Sequence, residues 1–164
     1  MPLRLVLMRH AKSSWKSVAL HDKERPLNKR GKHDAPRMGA ELRSRGWVPD
    51  RVLSSDSVRT IETFSRMKHA LGFEGEPEWH EDLYHGGIDE VRDVLRALPD
   101  GCETVLLLGH NPGWEDVLEW LTGQHEPIKT GSCALLTSES ERWPEALREG
   151  AWTLEAMVYP RQLE

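Results

Sequence analysis

The stretch LVLMRHAKSSW, Leu5 to Trp15, runs from a continuous apolar segment straight into Arg9, His10 and Lys12. Together with Leu3, its apolar part reads as a strand buried on both faces, Leu3 to Met8. Strands of that kind belong to parallel sheets covered by helices, so the stretch predicts an α/β fold. A strand that ends in three basic side chains has two readings: they mark the exit from the core, or they are held there to bind or attack an anion.

The rest of the chain repeats the pattern. Past a polar loop through Asn28, Asp34 is the expected cap of a helix that takes Pro36 in its first turn, sets Met38 and Leu42 on one face and ends at Gly46. DRVLSS, residues 50–55, is a short strand feeding a polar turn. Ser57 to Leu71 places Val58, Ile61, Phe64 and Met67 on one helical face, stopped by Gly72. Ile88 to Leu98 is a further helix, ended by Pro99-Asp100-Gly101, and TVLLLG, residues 104–109, is the clearest strand of the chain. Trp114 to Leu121 follows as a short helix, and Cys133 to Thr137 and Trp152 to Val158 as two closing strands. The expectation is an α/β three-layer sandwich, a mostly parallel central sheet with helices on both faces, in one domain over residues 1–164.

Composition narrows the function. With 38% hydrophobic and 30% charged residues the chain reads as soluble and globular. No apolar run reaches the roughly 20 residues that span a bilayer, and Leu3 to Met8 is too short for a signal peptide, so a cytoplasmic home is expected. A net charge of −5 argues against nucleic acid and anionic membranes as partners. Cys102 and Cys133 lack disulfide or zinc spacing and are expected as core thiols. Basic residues crowd the first third, at Lys12, Lys16, Lys23, Arg25, Lys29, Arg30, Lys32 and Arg37, most of them read as a solvated face. Any anion site is therefore local.

In open α/β sheets ligands bind beyond the carboxyl ends of the strands. The residues found there are Arg9 and His10 after the first strand, Arg59 just past the second, and His110 and Asn111 after TVLLLG. Two guanidiniums and two imidazoles suit a phosphoryl group, whose transfer is catalysed mainly by positioning and charge stabilisation. An imidazole with a pKa near 6.5 is in good part neutral at pH 7 and can itself attack phosphorus, splitting hydrolysis into two steps. No metal or other cofactor is needed.

Four segments carry a resemblance to a known family: LMRHAKS at 7–13, RPLNKRG at 25–31, SSDSVRTIET at 54–63 and LLGHNPG at 107–113. They resemble the histidine phosphatase superfamily, which includes the phosphoglycerate mutases, and most of all its short SixA-type phosphohistidine phosphatases. Ala11 stands where the family usually has glycine. The resemblance implies a phosphoglycerate mutase-like fold, His10 as the phosphate acceptor, Arg9 and Arg59 as clamps, and His110 as a second imidazole on the phosphoryl oxygens. Asn28 would shape the pocket rim and order the loop.

Members of the superfamily that cleave oxygen esters protonate the leaving oxygen with a carboxylic acid, and HEDLYHGG, residues 80–87, sets Glu81 near that position. His80, Asp82 and His85 beside it read either as metal ligands or as a polar loop, the spacing fitting no standard zinc motif. SixA-type enzymes are understood to manage without the usual acid, and imidazole leaves more readily than an alkoxide. The expected activity is metal-independent hydrolysis of phosphohistidine in a protein. A phosphatase of a small phosphorylated metabolite and a non-catalytic phosphoryl-binding module are the alternatives. Among the seven tryptophans, Trp47, Trp120 and Trp152 are expected in the core; Trp15 and Trp114 either wall the pocket mouth or cover the sheet end.

Overall fold

The computed structural model describes residues 2–16 and 21–164. Six strands form one sheet: β1 (Leu3–Arg9), β2 (Arg51–Ser55), β3 (Glu78–His80), β4 (Thr104–Gly109), β5 (Cys133–Ser138) and β6 (Thr153–Val158). Their order is β3-β2-β4-β1-β5-β6, with the first four mutually parallel and β5 antiparallel to both neighbours. The helices are α1 (Lys29–Ser44), α2 (Val58–Leu71), α3 (Ile88–Arg96), α4 (Gly113–Thr122) and the single turn α5 (Trp143–Ala146).

Successive side chains of a strand point to opposite faces, and β1 shows why its apolar run is unbroken. Val6 and Met8 face α1 and α2, packing among Ala35, Met38, Leu42, Phe64 and Met67. Leu5 and Leu7 face the other layer, where Val91, Leu95, Val117, Leu118 and Trp143 cover them. The result is the expected three-layer sandwich. Trp47 and Trp152 are buried, Trp120 is half-buried against the second core, and both cysteines are buried free thiols. No helix among the described residues is long and apolar enough to cross a membrane.

The first helix departs from expectation. It starts at Lys29, not after Asp34, because Asn28 is the cap: its side-chain oxygen accepts the Gly31 N–H at 2.9 Å. Pro36 lies well inside and forfeits one helical hydrogen bond. The helix continues through it because Ala35, Met38 and Leu42 are fully buried. Asp34 is instead a helical residue whose carboxylate pairs with Arg30 one turn earlier. At α2 the ends agree with the sequence, with Ser57 as cap and Gly72 in the left-handed region at φ 79°. The three-residue edge strand β3 and the turn α5 had no counterpart in the sequence reading.

Candidate active site

Sheet register brings the two histidines together. Arg9, the last residue of β1, pairs with Gly109, the last residue of the parallel strand β4, so His10 and His110 leave the sheet side by side. Their ring centroids are 5.2 Å apart. Strand β2, on the other side of β4, ends in Ser55, whose hydroxyl lies 2.8 Å from His110 Nε2. From the first turn of α2, Arg59 reaches across to set its Nε 3.4 Å from His10 Nε2. Thr63, one turn on, accepts the Ala11 N–H at 3.0 Å and donates to the Arg59 carbonyl at 2.6 Å, fastening the His10 loop to the helix that carries Arg59.

The cavity at these strand ends measures about 470 Å³, and Arg9, His10, Asn28, Arg59 and His110 all line it. Lys12, Lys16 and Arg25 add to its positive wall. His10, Arg59 and His110 are each at most 5% exposed. The Ala11 carbonyl, which can only accept, lies 2.7 Å from His10 Nδ1. That contact puts the proton of the neutral ring on Nδ1 and leaves Nε2 as an acceptor, taking the Arg59 Nε–H at 3.4 Å. Burial pushes the His10 pKa down to about 3; the Ala11 carbonyl opposes the shift, and Arg59, Arg9 and Arg25 add to it. Burial likewise lowers His110 to about 2, helped by His10, Arg59 and His85 and opposed by Asp22. Two buried nitrogens of the site, Arg9 Nε and His110 Nδ1, have no hydrogen-bond partner among the described residues. Buried polar atoms are seldom left so, and here both belong to groups lining the cavity.

Asp22 is the residue that sequence reasoning missed. Its carboxylate accepts from Arg59 Nη2 at 3.0 Å, Tyr84 Oη at 2.6 Å and Arg25 Nε at 3.1 Å, and its backbone carbonyl takes Arg59 Nη1 at 2.6 Å. Burial works against the charged form, yet the Tyr84, Arg59 and Arg25 contacts hold its carboxyl well below the usual carboxylate range. Asp22 therefore stays ionised and fixes the guanidinium of Arg59. Arg25, which the sequence grouped with a solvated basic face, is 7% exposed and stacks 3.4 Å over the Trp15 ring. A signal was available, since Arg25 opens the RPLNKRG segment.

Glu81 lies apart. It starts a 3-10 turn at Glu81–Leu83 and lines a neighbouring depression with Lys23, Asp82, Tyr84, Glu90 and Asp93, rather than the His10 cavity. Asn28 sits at the rim with its side-chain oxygen spent on capping α1. His85, at φ 60°, lines both spaces. The ligand atoms of His80, Asp82 and His85 do not gather into one group; those of His33, Asp34 and Glu164 do, with Arg30 already paired to both carboxylates. Trp15 is 74% exposed at the cavity mouth. Trp114 takes the other alternative: it is fully buried, its Nε1 donates to the Leu107 carbonyl at 3.2 Å, and its ring covers Gly109.

The chain is similar to known proteins in sequence and in fold. A chloroplastic protein of Arabidopsis thaliana, uncharacterized, is 36% identical across 96% of this chain and 78% of its own length. The phosphohistidine phosphatase SixA homolog of Haemophilus influenzae is 30% identical, covering 77% of this chain and 81% of its own. A solved Nakamurella multipartitia structure described as a phosphohistidine phosphatase SixA superposes with a TM-score of 0.82 at 27% identity, covering 98% of this chain and 97% of the other. The protein histidine phosphatase SixA bound to tungstate gives 0.85 at 23% identity over 99% and 100%, a likeness of fold, which is phosphoglycerate mutase-like. The profile of the histidine phosphatase superfamily (branch 1) matches residues 5–92, the segment that holds Arg9, His10 and Arg59. The chain belongs to the histidine phosphatase superfamily.

Proposed function

We propose that this chain is a metal-independent phosphatase that works through phospho-His10 and takes phosphohistidine in a protein as its substrate. Family membership and the likeness to SixA-type proteins support phosphatase activity in general. The observation that carries the finer reading is the 2.7 Å contact of His10 Nδ1 with the Ala11 carbonyl, which turns an unprotonated Nε2 toward the cavity. In this reading the substrate phosphohistidine enters protonated on its second ring nitrogen, and His10 Nε2 attacks phosphorus as the P–N bond breaks, so the bonding pair leaves with a neutral imidazole and no further proton is needed. Water then attacks the phospho-His10 intermediate, releasing phosphate and restoring the free ring. Arg59 and the unpartnered Arg9 Nε stabilise the equatorial oxygens, and His110 Nδ1 joins them as a donor when Ser55 gives its hydroxyl proton to Nε2.

The lack of a protonated carboxyl among the described residues that line the cavity favours a phosphoramidate over an oxygen ester. Among the described residues Asp22 is the single carboxylate lining the cavity, and it is held ionised. An alkoxide leaving group needs a proton donor there; an imidazole, with a conjugate-acid pKa near 6.5, needs far less help. Phosphate release from a phosphohistidine-bearing protein and from p-nitrophenyl phosphate, each with wild type and His10→Ala in EDTA, tests the reading. Release from the phosphohistidine protein, lost in the variant, is expected. Preference for the ester points to a small-metabolite phosphatase, and tight binding without release to a phosphoryl-binding module; either would overturn it.

A further inference from the structure

A second cavity, of about 590 Å³, adjoins the first. Lys12 and Thr130 line both and form the wall between them. The wall is tied to the His10 loop, because the Gly131 N–H donates to the His10 carbonyl at 2.8 Å. Whatever sits in the second space is thus adjacent to a phosphoryl group on His10. No step of the proposed hydrolysis uses it.

Its chemistry is cationic. Arg30 and Asp34 both line it and pair with each other, and Arg30 also pairs with Glu164, so these three groups together carry one net negative charge. Lys12, Lys129 and Arg161 line it too, and none makes an ion pair among the described residues. Against that single negative charge, the three cations leave the hollow net positive on a chain of net charge −5. Deeper in the wall, the fully buried Ser132 hydroxyl has no hydrogen-bond partner among the described residues. The space therefore offers charge to an anion and a hydroxyl to an oxygen acceptor, and it opens beside the catalytic pocket.

We propose that this second cavity is a docking site for carboxylate side chains that flank the phosphorylated histidine of the substrate protein. The inference rests on the phosphohistidine-protein reading and deepens it, by naming the kind of sequence the enzyme selects. A polypeptide can place its phosphohistidine on one side of Lys12 and an acidic side chain on the other, whereas a phosphate ester of a few carbons fills one space only. Attraction of this type acts on encounter and on KM more than on the chemical step, and it weakens with salt.

The test compares three substrates on wild type and on the double variant Lys129→Glu/Arg161→Glu: phosphoramidate, a phosphohistidine peptide flanked by glutamates, and the same peptide flanked by glutamines. Both side chains are exposed, and unchanged phosphoramidate turnover certifies the fold and the catalytic pocket. The expected result is a KM for the glutamate peptide raised by roughly tenfold at low salt, with kcat unchanged and the glutamine peptide unaffected. Lys129→Gln/Arg161→Gln should give a smaller rise, and both effects should shrink as salt is added. Equal KM values for the two peptides with wild type, or a variant that slows all three substrates alike, would overturn the docking site while leaving the phosphatase reading intact. Failure of wild type to hydrolyse any of the three would instead overturn the phosphatase reading, and the docking site with it.

Discussion

Burying two neutral imidazoles side by side makes stability depend on pH in a way that can be worked out from the site. His10 and His110 titrate near 6.5 when unfolded and at about 3 and about 2 when folded. A histidine with a lowered folded pKa takes up its proton first in the unfolded chain, so acid favours unfolding. Stability is complete above the unfolded value and falls as pH drops from about 6.5 toward the folded values. Between pH 7 and pH 5 each unfolded imidazole gains about 2 kcal/mol from protonation and the folded one almost none, so the pair costs about 4 kcal/mol. That is a large share of the roughly 5–15 kcal/mol that holds a domain of this size together. Asp22 does not enter this window, since its folded and unfolded values both lie below pH 4. The assay is urea denaturation at pH 7, 6 and 5 in a buffer free of phosphate, whose binding would mask the effect. The midpoint should fall steeply with acid, and His110→Gln should remove about half of the slope while leaving the His10 half in place. A midpoint that is flat from pH 7 to pH 5 would refute the claim that both rings are held neutral.

Three further outcomes follow from named contacts. Asp22→Asn removes the charge that fixes Arg59 and should lower kcat/KM about tenfold, since a charge-assisted hydrogen bond is worth more than a neutral one; unchanged turnover would show that Arg59 needs no such anchor. Glu81→Gln should leave kcat/KM within about twofold on both phosphohistidine and aryl phosphate, where losing a general acid costs roughly 10²–10⁴-fold. Gly109→Ala would drive a Cβ into the buried Trp114 ring, and should cost about 1–3 kcal/mol in urea denaturation together with activity, because His110 is the next residue.

The candidate site was legible because it sits where strands stop. Continuous apolar runs announced β1 and β4, and the side chains just past them share the carboxyl end of a parallel sheet; that they meet depends on β1 and β4 being neighbours. The pairing of Arg9 with Gly109, which sets the ring separation, is a matter of register and lies outside a single sequence. Asp22 was illegible for a different reason. It is an acid in a polar loop, and its meaning comes from Arg25, Arg59 and Tyr84, contributed by separate segments. Helix α1 was misplaced because Pro36 reads locally as a first-turn residue, and the burial that lets the helix run through it is tertiary. Trp114 offered two readings until the bare backbone of Gly109 showed what its ring covers. Strand β3, three residues long with no full alternation of apolar positions, pairs at the sheet edge only because β2 is there to receive it.

The central claim is that His10 carries the phosphoryl group, and rapid quenching during turnover tests it most directly. Enzyme mixed with a 32P-labelled phosphohistidine protein, stopped in alkali and mapped by mass spectrometry, should carry label on His10 that is stable to base and labile to acid. His10→Ala should carry none. Steady release of phosphate with no labelled enzyme at any time, or label on His110 in place of His10, would contradict the account.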